Sequence, residues 1–253
     1  MGKVVLITGS SSGIGAQTAV EFARLGAQVV VTGRDAQRVS DVAKQCREVS
    51  PKGIKPLEVL ADMSVSEDCR RLIATTIDTF TRLDVLVNNA GKGVLSTITD
   101  PDIMHKYGDC MDTNLRSVVL LTHLCAQHLT KTGGNIVNIS SNAAIKPAPR
   151  LPLYRTAKCT IDMFTKCAAL ELAPYGVRVN SICAGAVMTN FLLTMGSTKQ
   201  ESGVKYNEIA MKTPVGRVGE PIDIANAVLY LSSPDAQFIA GSCFVCDGGY
   251  VHI

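Results

Sequence analysis

The 253-residue sequence predicts a single doubly wound α/β domain spanning 1–253, with a seven-stranded parallel sheet covered by helices on both faces. Three observations predict it. Short β-rich runs alternate strictly with longer amphipathic ones, as parallel sheets require. The β runs are almost continuously apolar, which suits strands buried on both faces. A glycine-rich turn joins the first run to the first helix.

The elements follow in order. KVVLIT (3–8) begins the sheet. QVVVTG (28–33), KPLEVLA (55–61), DVLVNNA (84–90), NIVNIS (135–140), VRVNSIC (177–183) and SCFVCD (242–247) continue it. Helices are expected over 13–25, 36–49, 66–82, 102–131, 154–173 and 220–232. Gly133-Gly134 stops the fourth, which reads as one continuous helix, and Pro174 and Gly176 stop the fifth. No linker or repeat divides the chain. Residues 188–215 break the rhythm as a long insertion after the sixth strand, read here as a substrate lid.

Composition narrows the class. With 46% hydrophobic and 19% charged residues, the chain can bury a large core. A net charge of +3, without Lys/Arg runs, argues against a nucleic-acid surface. No stretch is long and apolar enough for a membrane span. MGKVVLITGS enters a strand too quickly for a signal peptide, and the closing VHI is no peroxisomal signal, so a cytoplasmic location is expected. The nine scattered cysteines read as small buried apolar residues. Cys243 and Cys246 form a C-x-x-C, but on a strand they face opposite ways. The four histidines make no ligand pattern, so no metal is expected.

The chemistry concentrates in a few motifs. TGSSSGIG (8–15) lies between strand and helix. Gly9 allows the sharp turn, and Gly13 and Gly15 are expected to let a pyrophosphate approach the helix N-terminus, where free N–H groups favour an anion. The spacing is G-x-x-x-G-x-G, not the common G-x-G-x-x-G. At the end of the second strand stands Gly33, followed by Arg34 and Asp35. An arginine there suits the 2′-phosphate of NADP(H), which is favoured over NAD(H); Asp35 can cap the next helix. Tyr154 and Lys158 lie four apart, on one helical face.

Taken together, TGxxxGxG, NNAG (88–91), a serine thirteen residues before Tyr154, and YxxxK resemble the short-chain dehydrogenase/reductases over essentially the whole chain, to DGG at 247–249. The resemblance implies a Rossmann-type fold and hydride transfer between a nicotinamide and a carbonyl or secondary alcohol. It makes Tyr154 the acid/base, Lys158 its charged helper and ribose ligand, and Ser141 the residue holding the substrate oxygen, with Ser140 the easy misassignment. Asn114 matches the asparagine that orders a proton-relay water. Gly9, Ser11, Ser12, Gly13, Ile14 and Gly15 match the diphosphate loop. Asp62 and Met63 match the adenine contact. Asn88, Ala90 and Gly91 match the wall behind ribose and nicotinamide, Asn88 also bracing its strand. Gly185, Val187 and Thr189 match the carboxamide segment. The family's proline before that glycine is replaced by Ala184, which should soften the turn. A free phenol titrates near 10, so Tyr154 needs the positive charge of Lys158 to act as a base.

The substrate side would be built from 92–98, 142–153 and the lid, all largely apolar, which suits a lipophilic carbonyl. Lys146 and Arg150 at the mouth could greet an anion or simply be solvated. A homotetramer is also implied, with the helices carrying Asn114 and Tyr154 at one interface. The apolar positions Ile161, Phe164, Ala168 and Leu172 fit that interface or an internal core equally. Two rivals remain: an NAD-dependent alcohol dehydrogenase of the same kind, and a non-catalytic dinucleotide sensor.

Overall fold

The computed structural model describes residues 2–253. Seven parallel strands form one sheet: β1 (Val4–Ile7), β2 (Gln28–Gly33), β3 (Leu57–Leu60), β4 (Val85–Asn88), β5 (Asn135–Ser141), β6 (Arg178–Ala184) and β7 (Cys243–Cys246). Their order is β3-β2-β1-β4-β5-β6-β7. The chain winds outward from β1 in one direction, then restarts at β4 in the other. The carboxyl ends of β1 and β4 therefore open a crevice between diverging connections, the place where such sheets bind ligands.

Alternation along the strands assigns the helices to faces. Val5 and Ile7 point to one side, packing under α1 (Gly13–Arg24), α2 (Ala36–Val49) and α9 (Pro221–Ser232). Val4 and Leu6 point to the other, under α3 (Ser66–Phe80), α5 (Ser117–Thr132) and α6 (Pro152–Leu172). Leu6, Ile7, Leu86, Ile136 and Ile182 are fully buried in these layers. Each such side chain contributes about 1.5–3 kcal/mol relative to exposure. Among the described residues no helix is long and apolar enough to cross a membrane, and no group of His, Cys, Asp and Glu could hold a metal.

Three expectations need correction. The helix expected over 102–131 is interrupted: α4 (Ile103–Met111) passes into α5 through a π-helical segment, Asp112–Arg116. One wide turn there re-aims the side chains it carries, and Asn114 is one of them. The lid is helical, with α7 (Phe191–Thr194) and α8 (Lys199–Lys212) inside it. Thr198 starts α8 with a reciprocal capping box to Glu201, and the TKQE pattern that predicts it was present in the sequence. Finally, Cys159 and Cys167 are exposed rather than buried, on the outer face of α6. All nine cysteines are free, and in β7 the thiol of Cys243 reaches Asp162 of α6 while that of Cys246 reaches Asp223 of α9, so the C-x-x-C pair does face two ways.

Candidate active site

The glycine turn after β1 is held from three sides. Ser10, fully buried, donates to the Ile7 carbonyl at 2.8 Å and accepts from the Thr32 amide at 2.8 Å, stitching the turn to β2. Thr8 Oγ1 accepts from the amides of Asn89 and Ala90 at 2.9 and 3.0 Å. Asn89 Nδ2 donates back to the Thr8 carbonyl at 2.8 Å. Thr8, Ser10 and Asn89 are thus the scaffold of the loop, and sequence reading gave Thr8 and Ser10 no role of their own; a polar side chain inside an otherwise glycine-rich or apolar turn was the available signal.

The glycines divide by purpose. Gly9 and Gly13 take φ of +63° and +56°, where a side chain strains the backbone. A Cβ on Gly13 would lie 3.1 Å from Thr189 Cγ2, so Gly13 keeps the helix start clear beneath that segment. Gly15 is required by packing as well. A Cβ there would lie 2.5 Å from Asn89 Nδ2 and 2.6 Å from the Gly9 carbonyl oxygen, so Gly15 lets α1 press against the turn itself. Gly33 has no room either: a Cβ would meet Ser11 Oγ at 2.4 Å.

The first turn of α1 suits an anion. Its N-cap Ser12 makes no side-chain cap bond, and no acidic residue occupies the first turn. The opening amides are therefore available, at the positive end of the helix. A cavity of about 350 Å³ adjoins it, lined by Gly13 and Gln17 on one side and Met188, Thr189 and Asn190 on the other.

At the end of β2, Arg34 is 74% exposed in its side chain and lies 3.6 Å from Asp62 Oδ2. Asp62 also accepts from the Ser64 amide and hydroxyl at 2.9 and 2.7 Å. Burial opposes its charge, but Ser64 and Arg34 together hold its carboxyl below the ordinary value. Met63 is buried beside it. Asp35 caps α2 through the Arg38 amide at 3.1 Å and pairs with the Arg38 side chain, as a helix-capping role requires. Asn88 turns its amide to Asn138 Oδ1 at 2.8 Å, and Asn138 continues to Thr165 at 2.9 Å. Its side chain therefore braces β4 against β5.

Four separated segments converge beyond β4 and β5. Asn114, fully buried, brackets Lys92: its Oδ1 accepts from the Lys92 amide at 3.1 Å, and its Nδ2 donates to the Lys92 carbonyl at 3.0 Å. Gly91 is pressed between them; a Cβ would be 3.0 Å from Asn114 Oδ1 and 3.6 Å from Lys158 Nζ. Lys158 is 4% exposed, donates to the Ile139 carbonyl at 2.8 Å, and lies 5.7 Å from the centre of the Tyr154 ring. Burial pulls its ammonium down to about 8, with the Asp162 carboxylate opposing. Burial pushes the Tyr154 phenol up to about 12, and the neighbouring Ser141 hydroxyl works against that rise. Ser140 is the structural neighbour: it is buried and donates to the Lys158 carbonyl at 3.3 Å. The two serines have separate tasks, and Ser141 is the one that meets Tyr154.

The last strip follows β6. Ala184 takes the ladder positions opposite Ser141 and Cys246, so the strand runs straight to the turn. Gly185 is required by packing, since a Cβ would lie 2.7 Å from Asp247. Val187 bridges Gly219 through bonds made by Ala186 and Met188, which turns Val187's own amide and carbonyl away from Gly219. Thr189 Oγ1 links the Val187 carbonyl to the Phe191 amide. Residues of the 188–215 segment then cover the centre. Phe191 packs on Tyr154 with ring centres 5.6 Å apart, and a Cβ on Gly93 would strike Met195 at 2.4 Å. Val94, Ala143, Leu151 and Leu153 complete an apolar surround.

Residues 9–251 match a family profile described as enoyl-(acyl carrier protein) reductase. The chain is 35% identical to an A-factor type gamma-butyrolactone 1′-reductase of Streptomyces virginiae, over 98% of this chain and 95% of that one. Among solved structures it is similar to a Caenorhabditis elegans short-chain dehydrogenase/reductase of unknown function with cofactor (TM-score 0.93, 37% identity, 99% and 96% covered). It is also similar to a 7α-hydroxysteroid dehydrogenase complexed with NADH and 7-oxo glycochenodeoxycholic acid (TM-score 0.89, 30% identity, 98% and 95% covered). The chain belongs to the short-chain dehydrogenase/reductase family and is an NAD(P)-dependent oxidoreductase acting on CH–OH and C=O groups.

Proposed function

We propose that this enzyme uses NADP(H) to reduce a lipophilic ketone, with Tyr154 as proton donor. The observation that carries the reading is the meeting of Asn114, Ser141, Tyr154 and Lys158 in one apolar, lid-covered site. The cofactor's nicotinamide supplies the hydride. The chain's own residues do the rest. The opening amides of α1 and the loop Gly9, Ser11, Ser12, Gly13, Ile14 and Gly15 would take the diphosphate. Asp62 and Met63 would meet the adenine, and Ala90, Gly91 and the Asn88 backbone would line the crevice. Gly185, Val187 and Thr189 would hold the carboxamide.

The Tyr154 hydroxyl, kept protonated by burial, hands its proton to the substrate oxygen that Ser141 steadies. Lys158 then stabilises the phenolate left behind, while the lid side chains exclude water. Asn114 fixes the Lys92 backbone beside Lys158, and so holds the far wall of the site in place.

Two features support NADP(H). Arg34 offers an exposed, permanently charged fork directly after β2. Asp35, the carboxylate nearest that strand end in sequence, is engaged in capping α2. The ring of Val94, Leu151, Leu153 and Phe191 around Tyr154 supports a lipophilic substrate. The direction rests on metabolism: NADP(H) pools generally serve reduction. The test is turnover of NADPH and NADH on a panel of lipophilic ketones, repeated with Arg34→Asp. The account expects NADPH to be preferred by the wild type and NADH by the variant, each by about tenfold or more. An unchanged preference in Arg34→Asp would sink the assignment.

A further inference from the structure

We propose that a carboxylate subsite anchored by Arg155 adjoins the catalytic centre, so that the substrate is a lipophilic oxo acid rather than a neutral ketone. The inference rests on the reductase reading and refines its substrate.

A cavity of about 390 Å³ is lined by Asn142, Arg155, Ala186, Ile209, Asp247 and Tyr250, among others. Three of these are chain neighbours of residues in the reaction site: Asn142 follows Ser141, Arg155 follows Tyr154, and Ala186 follows Gly185. The volume suits a small organic group. The charged side chains around it already have partners in the protein, with one exception. Arg217 forms a two-pronged pair with Asp223 at 2.6 and 2.9 Å. Asp247 accepts from the amides of Gly249 and Val251, each at 2.9 Å, and from Asn142 Nδ2 at 3.3 Å. Lys146, one of the cations the sequence placed at the mouth, is spent on the Ile253 carbonyl at the chain end and lies over the Tyr250 ring. Arg150, the other, is exposed.

Arg155 is the exception. One arm of its guanidinium donates to the Lys146 carbonyl. Its Nε is buried and bonds to nothing in the protein. Among the described residues no carboxylate lies within salt-bridge distance of it. A half-buried guanidinium without an acid is costly, and burial opposes its charge here. The Nη2 arm is bonded to no protein group, and a planar fork with an unpaired Nη2 and Nε fits a carboxylate by two parallel hydrogen bonds once its side chain turns towards the cavity. A chain entering from the apolar side would place its carbonyl at Tyr154 and its acid at Arg155.

The experiment compares a homologous series of medium-chain oxoalkanoates with their methyl esters, in wild type, Arg155→Met and Arg155→Lys. Arg155 also bears on the acidity of Tyr154, so the readout is the acid-to-ester ratio of kcat/KM, which cancels that effect. The account expects the wild type to prefer the acid, and Arg155→Met to lower the ratio by about 30-fold, chiefly through KM of the acid. Arg155→Lys, which keeps charge but loses the fork, should fall between. An unchanged ratio in Arg155→Met overturns the subsite.

Binding of the matching saturated alkanoate, read by thermal shift, separates this proposal from the reaction itself. Alkanoate binding that needs Arg155, with neither acid nor ester reduced, keeps the subsite and overturns the ketone reading. Turnover without preference for the acid does the reverse. Alkanoate that fails to bind the wild type overturns the subsite whatever the turnover. Should Arg155→Met fail to fold, Arg155→Gln, which can keep the bond to Lys146, repeats the comparison.

Discussion

Lys158 carries its charge where charge is expensive. It has one carbonyl partner, Ile139, and its ammonium is buried beside Tyr154, with Asp162 and, more weakly, Cys110 to favour the cation. Its folded value near 8 lies below the ordinary 10.5. The folded state therefore releases this proton earlier than the unfolded state does. The stability withheld by the buried charge is fully recovered above pH 10.5 and is lost as pH falls through about 8. Lys158→Met should accordingly abolish activity yet raise Tm at pH 7 by about 2–4 °C, a gap that closes between pH 8 and 10.5. Thermal melts of both proteins across that range check it. A wild type that is the more stable at every pH would contradict it. At this scale the sequence was informative about identity and poor on reasons. The resemblance pointed to Tyr154, Lys158 and Ser141, but no local pattern gave the packing reason for Gly15 and Gly185, which the backbone around them also requires. Contacts between residues distant in the chain are what decided, and no local pattern encodes them.

The helix α6 shows what an element adds. Its inner stripe, Ile161, Phe164, Ala168 and Leu172, packs within the chain, on the sheet and its neighbours. That stripe says nothing of partners, although it fitted them in the sequence. The outer face does. Thr156, Cys159, Thr160, Met163, Cys167 and Leu170 are all exposed, with Lys166 and Glu171 the exposed charges beside them, and Leu170 is 79% exposed. Val119 of α5 is exposed as well. A face so poor in charge is suited to burial. We therefore expect the homotetramer implied by the resemblance to use α5 and α6. Sedimentation should report four copies, and the double variant Met163→Glu, Leu170→Glu should split them; a monomeric wild type would contradict this. Element boundaries were mostly legible, because apolar period and glycine stops mark them. The interrupted helix at Asp112–Arg116 was not, since a wide turn leaves the hydrophobic pattern intact while shifting Asn114. The helix α8 was missed despite its capping box, because a weakly amphipathic helix carries little periodic signal.

At the scale of the whole molecule, the sheet order decides where chemistry occurs. The reversal between β1 and β4 sets the glycine turn beside Ala90 and Gly91, and the next strands bring Ser141, Tyr154 and the segment after Ala184 to the same edge. Alternating β and α runs made this architecture legible from the sequence, because strict alternation leaves few ways to bury a parallel sheet. The cover over the site was less so: the packing of Phe191 and Met195 onto Tyr154 and Gly93 depends on the path of the lid. The central claim is that this edge is a proton-donating reduction centre and not merely a dinucleotide-binding surface. The most direct measurement pairs NADPH binding with NADPH-dependent ketone reduction in wild type and Tyr154→Phe. The account predicts unchanged NADPH affinity and turnover reduced about 10³-fold in the variant. A Tyr154→Phe enzyme that reduces ketones at the wild-type rate would contradict it.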